Sequence, residues 1–392
     1  MFNKSISIIG GAGHVGAPLG LAFSSKGYKV TLIDKNIKNI KKINNGKMPF
    51  LEEGCEKLLK KMILKKRIFA SSDLSKVRSS KYIIICLGTP VNKKFNPILN
   101  NFVNFFYLLK KYLSKKHVVI IRSSIFPGIS NKVFQIIKNK CKNLSYCPER
   151  IAQGKSLKEL PKLAQIVSGK NKKAILDSGR IFRKISKKII YTEITEAELI
   201  KLFSNAYRYI NFSISNQFYM MCKDLGLNFD QIRKFMRDNY DRNINIPQAG
   251  FTAGPCLLKD TMQLSSFFKH KFLLGKSAML VNENLPIYIV KKLNEKVKLK
   301  NKIVGVLGMA FKAENDDTRD SLSVKLLKYL KSKKIKTLQS DEYYKDEKNV
   351  DKNLLINKAD VIIVATPHKA YRNLRIKKNK ILIDIWSIIE KK

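Results

Sequence analysis

The sequence predicts an α/β protein: two parallel-sheet domains joined by a central region built on a long helix. Three observations carry that reading. Short β-branched runs alternate with amphipathic stretches from Ser5 to about Tyr191. From Thr195 to about Leu225 the pattern turns helical, with no proline to interrupt it. From Asn301 the strand–helix rhythm returns. The expected division is 1–191, 192–298 and 299–392, and a chain of 392 residues is long enough for that many cores.

Ile6-Ser7-Ile8-Ile9 reads as a buried first strand and Lys29-Val30-Thr31-Leu32-Ile33 as a second. Tyr82–Leu87 and Val118–Ile121 are later ones. Between the first two, Gly11-Ala12-Gly13-His14-Val15-Gly16 matches Gly-x-Gly-x-x-Gly. The pattern is weak alone, but here it follows a strand and opens a helical stretch, the context of a Rossmann-like dinucleotide site. Gly11 allows the tight turn, Gly13 lets backbone approach the pyrophosphate, and Gly16 permits close helix packing. His14 and Val15 lie in the same loop, at a helix N-terminus that favours an anion. Asp34 follows at about the expected spacing. Its carboxylate accepts hydrogen bonds from ribose hydroxyls and repels a 2′-phosphate, so the cofactor expected is NAD rather than NADP.

Gly88-Thr89-Pro90 and Ser123-Ser124-Ile125-Phe126-Pro127-Gly128 each follow a strand. Strand C-termini face the ligand crevice in open α/β sheets, which puts Thr89, Pro90 and Ser123 on the cofactor side. Ordinary turn chemistry is the alternative.

In the central region Ala197, Ile200, Leu202, Phe203, Ala206, Tyr209 and Ile210 recur at helical spacing. Apolar residues on more than one side ask for a second packing partner, and a homodimer is expected. Lys201 and Asn205 are four apart and share a face. A cation beside an amide suits a developing oxyanion. The helical region is expected to reach about Lys298, broken near Pro247 and Pro255. Ile303–Gly308, Val361–Ala365 and Ile381–Ile383 are the strands of a second, smaller α/β domain.

The formal net charge is +47, from 77 Lys and Arg against 30 Asp and Glu. Read alone, that suggests nucleic acid. The lysines are scattered, however, and accompany abundant Asn and Ile, as A/T-rich coding produces. No basic tail and no aromatic–basic interleaving of the base-stacking kind accompany them. No nucleic-acid partner is expected. No apolar run approaches the ~20 residues of a membrane helix. The first apolar stretch runs straight into the glycine loop and reads as a strand, not a secretory signal. Cys55, Cys86, Cys141, Cys147, Cys222 and Cys256 form no Cys-x-x-Cys pair and no metal-ligand spacing with histidine. The expectation is a cytoplasmic protein without a metal.

Cys256 sits in the run Gly250-Phe251-Thr252-Ala253-Gly254-Pro255-Cys256-Leu257-Leu258-Lys259-Asp260. The thiolate is the attacking form, glycine and proline imply an irregular loop, and Lys259 favours the anion. A lone cysteine is usually buried and inert, and Cys86 and Cys222 read that way. A nucleophilic thiol beside a nicotinamide permits a second oxidation, from alcohol to acid through a thioester. His14, His117, His270 and His368 are not needed for that chemistry.

Two further segments complete the pattern: Cys147-Pro148-Glu149-Arg150-Ile151-Ala152-Gln153-Gly154, and Gly308-Met309-Ala310-Phe311-Lys312 followed by Asp316-Asp317-Thr318-Arg319-Asp320-Ser321. In this order and spacing, and over nearly the whole chain, the motifs resemble the UDP-glucose/GDP-mannose dehydrogenase family, the nucleotide-sugar 6-dehydrogenases. The resemblance implies a role for each matched position. Cys256 is the nucleophile. Lys201 stabilises the oxyanion with Asn205 beside it, and Asp260 orders the lysine and a water. Glu149 aids thioester hydrolysis, and Ser124 stands where a water-binding threonine is usual. Lys312 and Arg319 grip the nucleotide, while Glu149, Arg150, Lys201, Asn205 and Gly254 meet the substrate.

The implied reaction passes two hydrides in turn to two NAD molecules and turns the C6 alcohol of a UDP-sugar into the uronate, a step in polysaccharide precursor synthesis. Gln153 departs from a frequent acidic residue, and Ala253-Gly254-Pro255 is less glycine-rich than in many relatives. Glu149-Arg150-Ile151 looks like the branch acting on UDP-N-acetylhexosamines, and Leu257-Leu258-Lys259-Asp260 like the UDP-glucose branch. The reading favours UDP-N-acetylmannosamine or UDP-N-acetylglucosamine, with UDP-glucose as the alternative. A two-electron dehydrogenase of the 3-hydroxyacid type is the rival enzyme, told apart by one NADH per substrate. A nucleic-acid-binding protein is the other rival, told apart by steeply salt-dependent DNA binding.

Overall fold

The computed structural model describes residues 2–89, 91, 92, 98, 100–252, 254–269 and 271–389. Pro90, Ala253 and His270 fall outside the described residues. The chain forms two compact units, Met1–Ser204 and Asn205–Lys392.

The first unit is built on eight strands: β1 (Ser5–Ile9), β2 (Lys29–Ile33), β3 (Ile68–Ser71), β4 (Tyr82–Ile85), β5 (Val118–Ile121), β6 (Leu144–Tyr146), β7 (Gln165–Gly169) and β8 (Ile189–Tyr191). They lie in the order β3-β2-β1-β4-β5-β6-β7-β8. Ile8 pairs with Leu32 on one side and Ile84 on the other, both in parallel register. The sheet is parallel apart from the β6–β7 pair, where Ser145 faces Gly169. Every residue of β1, β4 and β5 is buried. These strands are unbroken apolar runs because packed layers cover both faces. Ile6, Ile8, Phe23 and Phe182 fill one side of the sheet, and Ile9, Ile83, Ile85 and Phe106 the other. The strand order reverses between β1 and β4, and the crevice for a ligand opens there, beyond the strand C-termini.

The long helix spans Ile194–Asp224, within a residue of expectation at each end. In the second unit helices Phe229–Arg237, Leu257–Phe267 and Leu273–Lys296 follow. Pro247 and Pro255 fall between helices as expected, while Pro286 lies buried inside Leu273–Lys296. The second sheet is fully parallel, in the order β10-β9-β11-β12, from β9 (Ile303–Leu307), β10 (Lys336–Ser340), β11 (Val361–Val364) and β12 (Ile381–Asp384).

The two sheets share one device, an aspartate just past the second strand that receives backbone donors from the turn after the first. In the first unit Ala12 N donates to Asp34 Oδ2 at 3.0 Å. In the second, Met309 N and Ala310 N donate to Asp341 Oδ2 at 2.5 and 3.1 Å. Asp341 also accepts from the Tyr343 and Tyr344 amides and lies 3.3 Å from His368 Nε2. Burial works to raise the Asp341 carboxyl, but His368 and the backbone donors prevail and hold it at about 2. A depressed carboxyl contributes stability above its unfolded value of about 3.9 and loses it as pH falls towards about 2. Asp341→Asn is therefore expected to cost about 2 kcal/mol at neutral pH. In urea melts at successive pH values, its deficit against wild type should shrink as pH falls below about 4.

Candidate active site

The three loop glycines differ in what a side chain would meet. A Cβ on Gly11 would lie 2.6 Å from the Ile8 carbonyl oxygen and 2.7 Å from Leu32 Cα. One on Gly16 would lie 2.4 Å from the Gly10 carbonyl oxygen and 2.7 Å from Gly11 Cα. Both glycines serve internal packing of turn, strand and helix. A Cβ on Gly13 would meet only the Gly10 carbonyl oxygen, at 3.4 Å. The protein's own packing asks little of that position, so a glycine there fits a backbone left open for a diphosphate. Beside it Asp34 is half-exposed, with Oδ1 accepting from Asn36 N at 3.0 Å. The residues present fit NAD. His14 stacks on Phe50, ring centroids 3.9 Å apart, and its Nδ1 lies 2.8 Å from Gln153 Nε2. The departure at Gln153 thus ties the 147–154 segment to the glycine loop by a neutral contact.

Beyond β4 and β5 the two loops meet. Thr89 Oγ1 donates to the Ser124 carbonyl at 2.6 Å, and Ser123 N donates to the Ile85 carbonyl at 3.2 Å. The neighbouring Arg122 is a site residue that sequence reasoning missed. Its buried guanidinium donates through Nε and Nη2 to Glu149 Oε2, at 2.9 and 2.5 Å. It also donates through Nη1 to the Cys147 carbonyl at 3.1 Å and through Nη2 to Gln165 Oε1 at 2.9 Å. Its flat face lies 4.6 Å from the Phe182 ring centroid. Glu149 Oε1 accepts from the Arg150 and Ile151 amides at 2.8 and 3.0 Å. Both oxygens of Glu149 are engaged, so the carboxylate is fixed in place. The Arg150 side chain turns to the Ala164 carbonyl, 2.6 Å away. The one available signal for Arg122 was a charge at the end of an all-apolar strand, which needs a buried partner.

Glu198 was missed in the same way. Fully buried on the long helix, it accepts from Gly128 N, Ser130 N and Ser130 Oγ at 2.9, 3.0 and 2.6 Å. It caps helix Ile129–Ile137, whose N-cap Gly128 has no side chain to do so. Burial pushes its carboxyl up, against those hydrogen bonds. Lys201, one turn further along, is buried as well.

In the second unit Cys256 is the N-cap of helix Leu257–Phe267, at an end that carries partial positive charge. It is the one exposed cysteine of the six. Burial pushes the thiols of Cys55, Cys86 and Cys147 up to about 12. One turn on, Asp260 is fully buried, with Oδ2 accepting from Asn205 Nδ2 at 2.6 Å and Oδ1 lying 3.1 Å from Lys259 Nζ. Gly254 holds a φ of +104°, and a Cβ there would fall 2.5 Å from the Phe311 ring. Arg319 grips Asp317 through Nε and Nη2, at 2.9 and 2.6 Å. The hydrogen bond to Asp317 and then its charge raise the Arg319 pKa, against burial, with smaller contributions from Cys256 and Asp320. Lys312 is half-buried in the segment after β9.

Three family models match the chain. Residues 4–190 match the NAD binding domain of the UDP-glucose/GDP-mannose dehydrogenase family, 195–284 its central domain and 305–391 its UDP binding domain. A UDP-N-acetyl-D-mannosamine dehydrogenase of Pyrococcus horikoshii is 27% identical over 97% of this chain and 95% of its own length. A UDP-glucose 6-dehydrogenase of Rickettsia felis is 25% identical over 97% of this chain and 92% of its own. A solved structure of UDP-D-ManNAc dehydrogenase from P. horikoshii superimposes with a TM-score of 0.91, at 27% identity, covering 99% of this chain and 96% of that one.

Proposed function

This chain belongs to the UDP-glucose/GDP-mannose dehydrogenase family, and we propose that it oxidises the C6 alcohol of a UDP-N-acetylhexosamine to the uronate, with Cys256 as the covalent nucleophile. The observation that carries the four-electron reading is the placement of that thiol. Five cysteines are wholly or partly withdrawn from solvent, and the sixth stands exposed one helical turn from a buried, hydrogen-bonded Asp260.

NAD, when bound, accepts a hydride. The chain's own residues do the rest. The glycine loop and the helix behind it hold the diphosphate, and Asp34 receives ribose hydroxyls. Lys201 and Asn205 face the oxygen of the C6 alcohol as it loses its proton and hydride. The Cys256 sulfur adds to the aldehyde carbon, and the proton goes to that carbon's oxygen. Loss of a second hydride from the same carbon to a second NAD, with the hydroxyl proton released to water, leaves a thioester. Water attacks it, the carbon–sulfur bond breaks, the thiol recovers a proton and the carboxylate departs. Ser124 holds the water, and Asp260 orders Lys201 and that water. The engaged carboxylate of Glu149 suits a fixed electrostatic role in hydrolysis better than that of a mobile base. Arg150, Gly254, Lys312 and Arg319 bind the substrate.

The relatives support the N-acetylhexosamine reading, UDP-N-acetylmannosamine first. The test is NADH absorbance across a panel of UDP-sugars, with substrate limiting. The expected result is two NADH per sugar, with a UDP-N-acetylhexosamine preferred. One NADH per substrate, or a preference for UDP-glucose, would overturn the corresponding part.

On the long helix Tyr207, Ile214, Phe218 and Met221, and Leu225 just past its end, are exposed at helical spacing. A second copy of the chain is proposed to cover this stripe. Sedimentation at micromolar concentration should give a dimer that Phe218→Glu with Leu225→Glu dissociates; a monomeric wild type contradicts it. Among the described residues no helix is long and apolar enough to cross a membrane. A cytoplasmic site is proposed on the six free cysteines.

A further inference from the structure

We propose that Trp386 is a positioning residue for the loop that carries Cys256; the proposal rests on the reading of Cys256 as nucleophile. Trp386 is the chain's only tryptophan. It lies two residues past β12, where its backbone N donates to Asp384 Oδ1 at 3.2 Å. Its indole Nε1 donates to the Ala365 carbonyl at 2.9 Å, just beyond buried β11. Those two bonds fix the ring to the C-terminal sheet.

The ring lies flat against Gly250. A Cβ at that position would fall 2.5 Å from each of three indole atoms, Cε2, Cζ2 and Cη2. From the long helix, Asn216 Oδ1 accepts from Gly250 N at 2.8 Å. Asn216 is itself held, since its Nδ2 donates to Asn282 Oδ1 at 2.8 Å, and Asn282 Nδ2 donates to the Tyr209 carbonyl at 3.2 Å. Both asparagines are fully buried, so each amide is spoken for. Gly250 is thus seated between a fixed amide and a fixed ring. The Phe311 ring, which sits against Gly254, grips the loop a second time just before Cys256. Among the described residues of the loop, 249–252 and 254–256, none lies in a helix or strand. Among the described residues, these two rings and the Asn216 hydrogen bond seat it against its surroundings, and glycine stands at 250 and 254 because the rings occupy the space of a side chain.

A nucleophile displaced by about 1 Å can cost up to about 100-fold in rate. Trp386→Ala is expected to lower kcat for uronate formation about 10- to 100-fold, with KM for UDP-N-acetylmannosamine within about threefold of wild type. Trp386→Phe keeps a ring over Gly250 and should restore kcat to within about threefold. The rate of Cys256 alkylation by iodoacetamide, read by intact mass, should change at least threefold in Trp386→Ala and little in Trp386→Phe. That readout needs no turnover, so it stands apart from the NADH stoichiometry that tests the function itself.

Gly250→Ala should lower kcat and shift the emission of the single tryptophan. In the double variant with Trp386→Ala the two effects should fail to multiply, because the added methyl then has room. If Trp386→Ala does not fold, Gly250→Ala and Trp386→Phe carry the test by themselves. The proposal is overturned by a folded Trp386→Ala whose kcat and alkylation rate stay within twofold of wild type, or by a Gly250→Ala that changes neither kcat nor emission.

Discussion

Cys256→Ser should lose net uronate formation by about 1,000-fold or more. The reason is chemical and local. A serine hydroxyl ionises far less readily than a thiol, so the same position offers a much weaker nucleophile. A nearby cation can favour a thiolate, but it does not remove a proton from an alcohol. The first oxidation, alcohol to aldehyde, does not pass through the sulfur. The variant is therefore expected to give at most about one NADH per sugar, slowly, with the aldehyde as product. Steady-state NADH formation and product mass together read this out. A serine variant that still produced two NADH per sugar would remove the thiol from the mechanism.

Arg122→Met should be the largest stability effect among single changes at the site. It leaves the Glu149 carboxylate buried without its cation, and breaking a buried pair in this way costs about 3–5 kcal/mol. For a unit of this size the melting transition should fall by roughly 10 °C. Arg122→Lys keeps the charge but not the fork that serves Glu149, the Cys147 carbonyl and Gln165 together, and should fall between. The double change Arg122→Met with Glu149→Leu removes both charges and should recover most of the stability while remaining inactive. Thermal unfolding checks all three. A single Arg122→Met within about 1 kcal/mol of wild type would mean that the pair contributes far less than its geometry implies.

What could be read from the sequence divides along physical lines. β1, β4, β5, β9 and β11 were legible because strands covered on both faces are apolar runs, and β2 and β12 were legible from their β-branched residues. The long helix was legible because thirty-one residues average over local exceptions. β3, β6, β7, β8 and β10 were not. β6 and β8 are three residues each, and β10 reads Lys-Thr-Leu-Gln-Ser with only its last residue buried. The helical reading to about Lys298, with breaks near Pro247 and Pro255 only, fits the helix Leu273–Lys296 that runs through Pro286.

Among the proposed site residues, those that the proposed chemistry would set at a fixed local spacing stood out: the three loop glycines, Asp34, Lys201 with Asn205, and Cys256 with Asp260. Residues whose meaning lies in a distant partner did not. Arg122 acquires its role from Glu149, twenty-seven positions away. Glu198 acquires its role from a glycine seventy positions earlier. Trp386 does so from Gly250, which only the folded chain sets beneath it. A periodicity or a motif carries no information about such pairs.

The most direct measurement of the central claim is the mass of the peptide bearing Cys256 after acid quench of wild-type enzyme turning over UDP-N-acetylmannosamine with NAD. An acyl adduct of the sugar nucleotide on that cysteine is expected, absent from Cys256→Ala. Uronate formed while Cys256 stays unmodified at every quench time would contradict it.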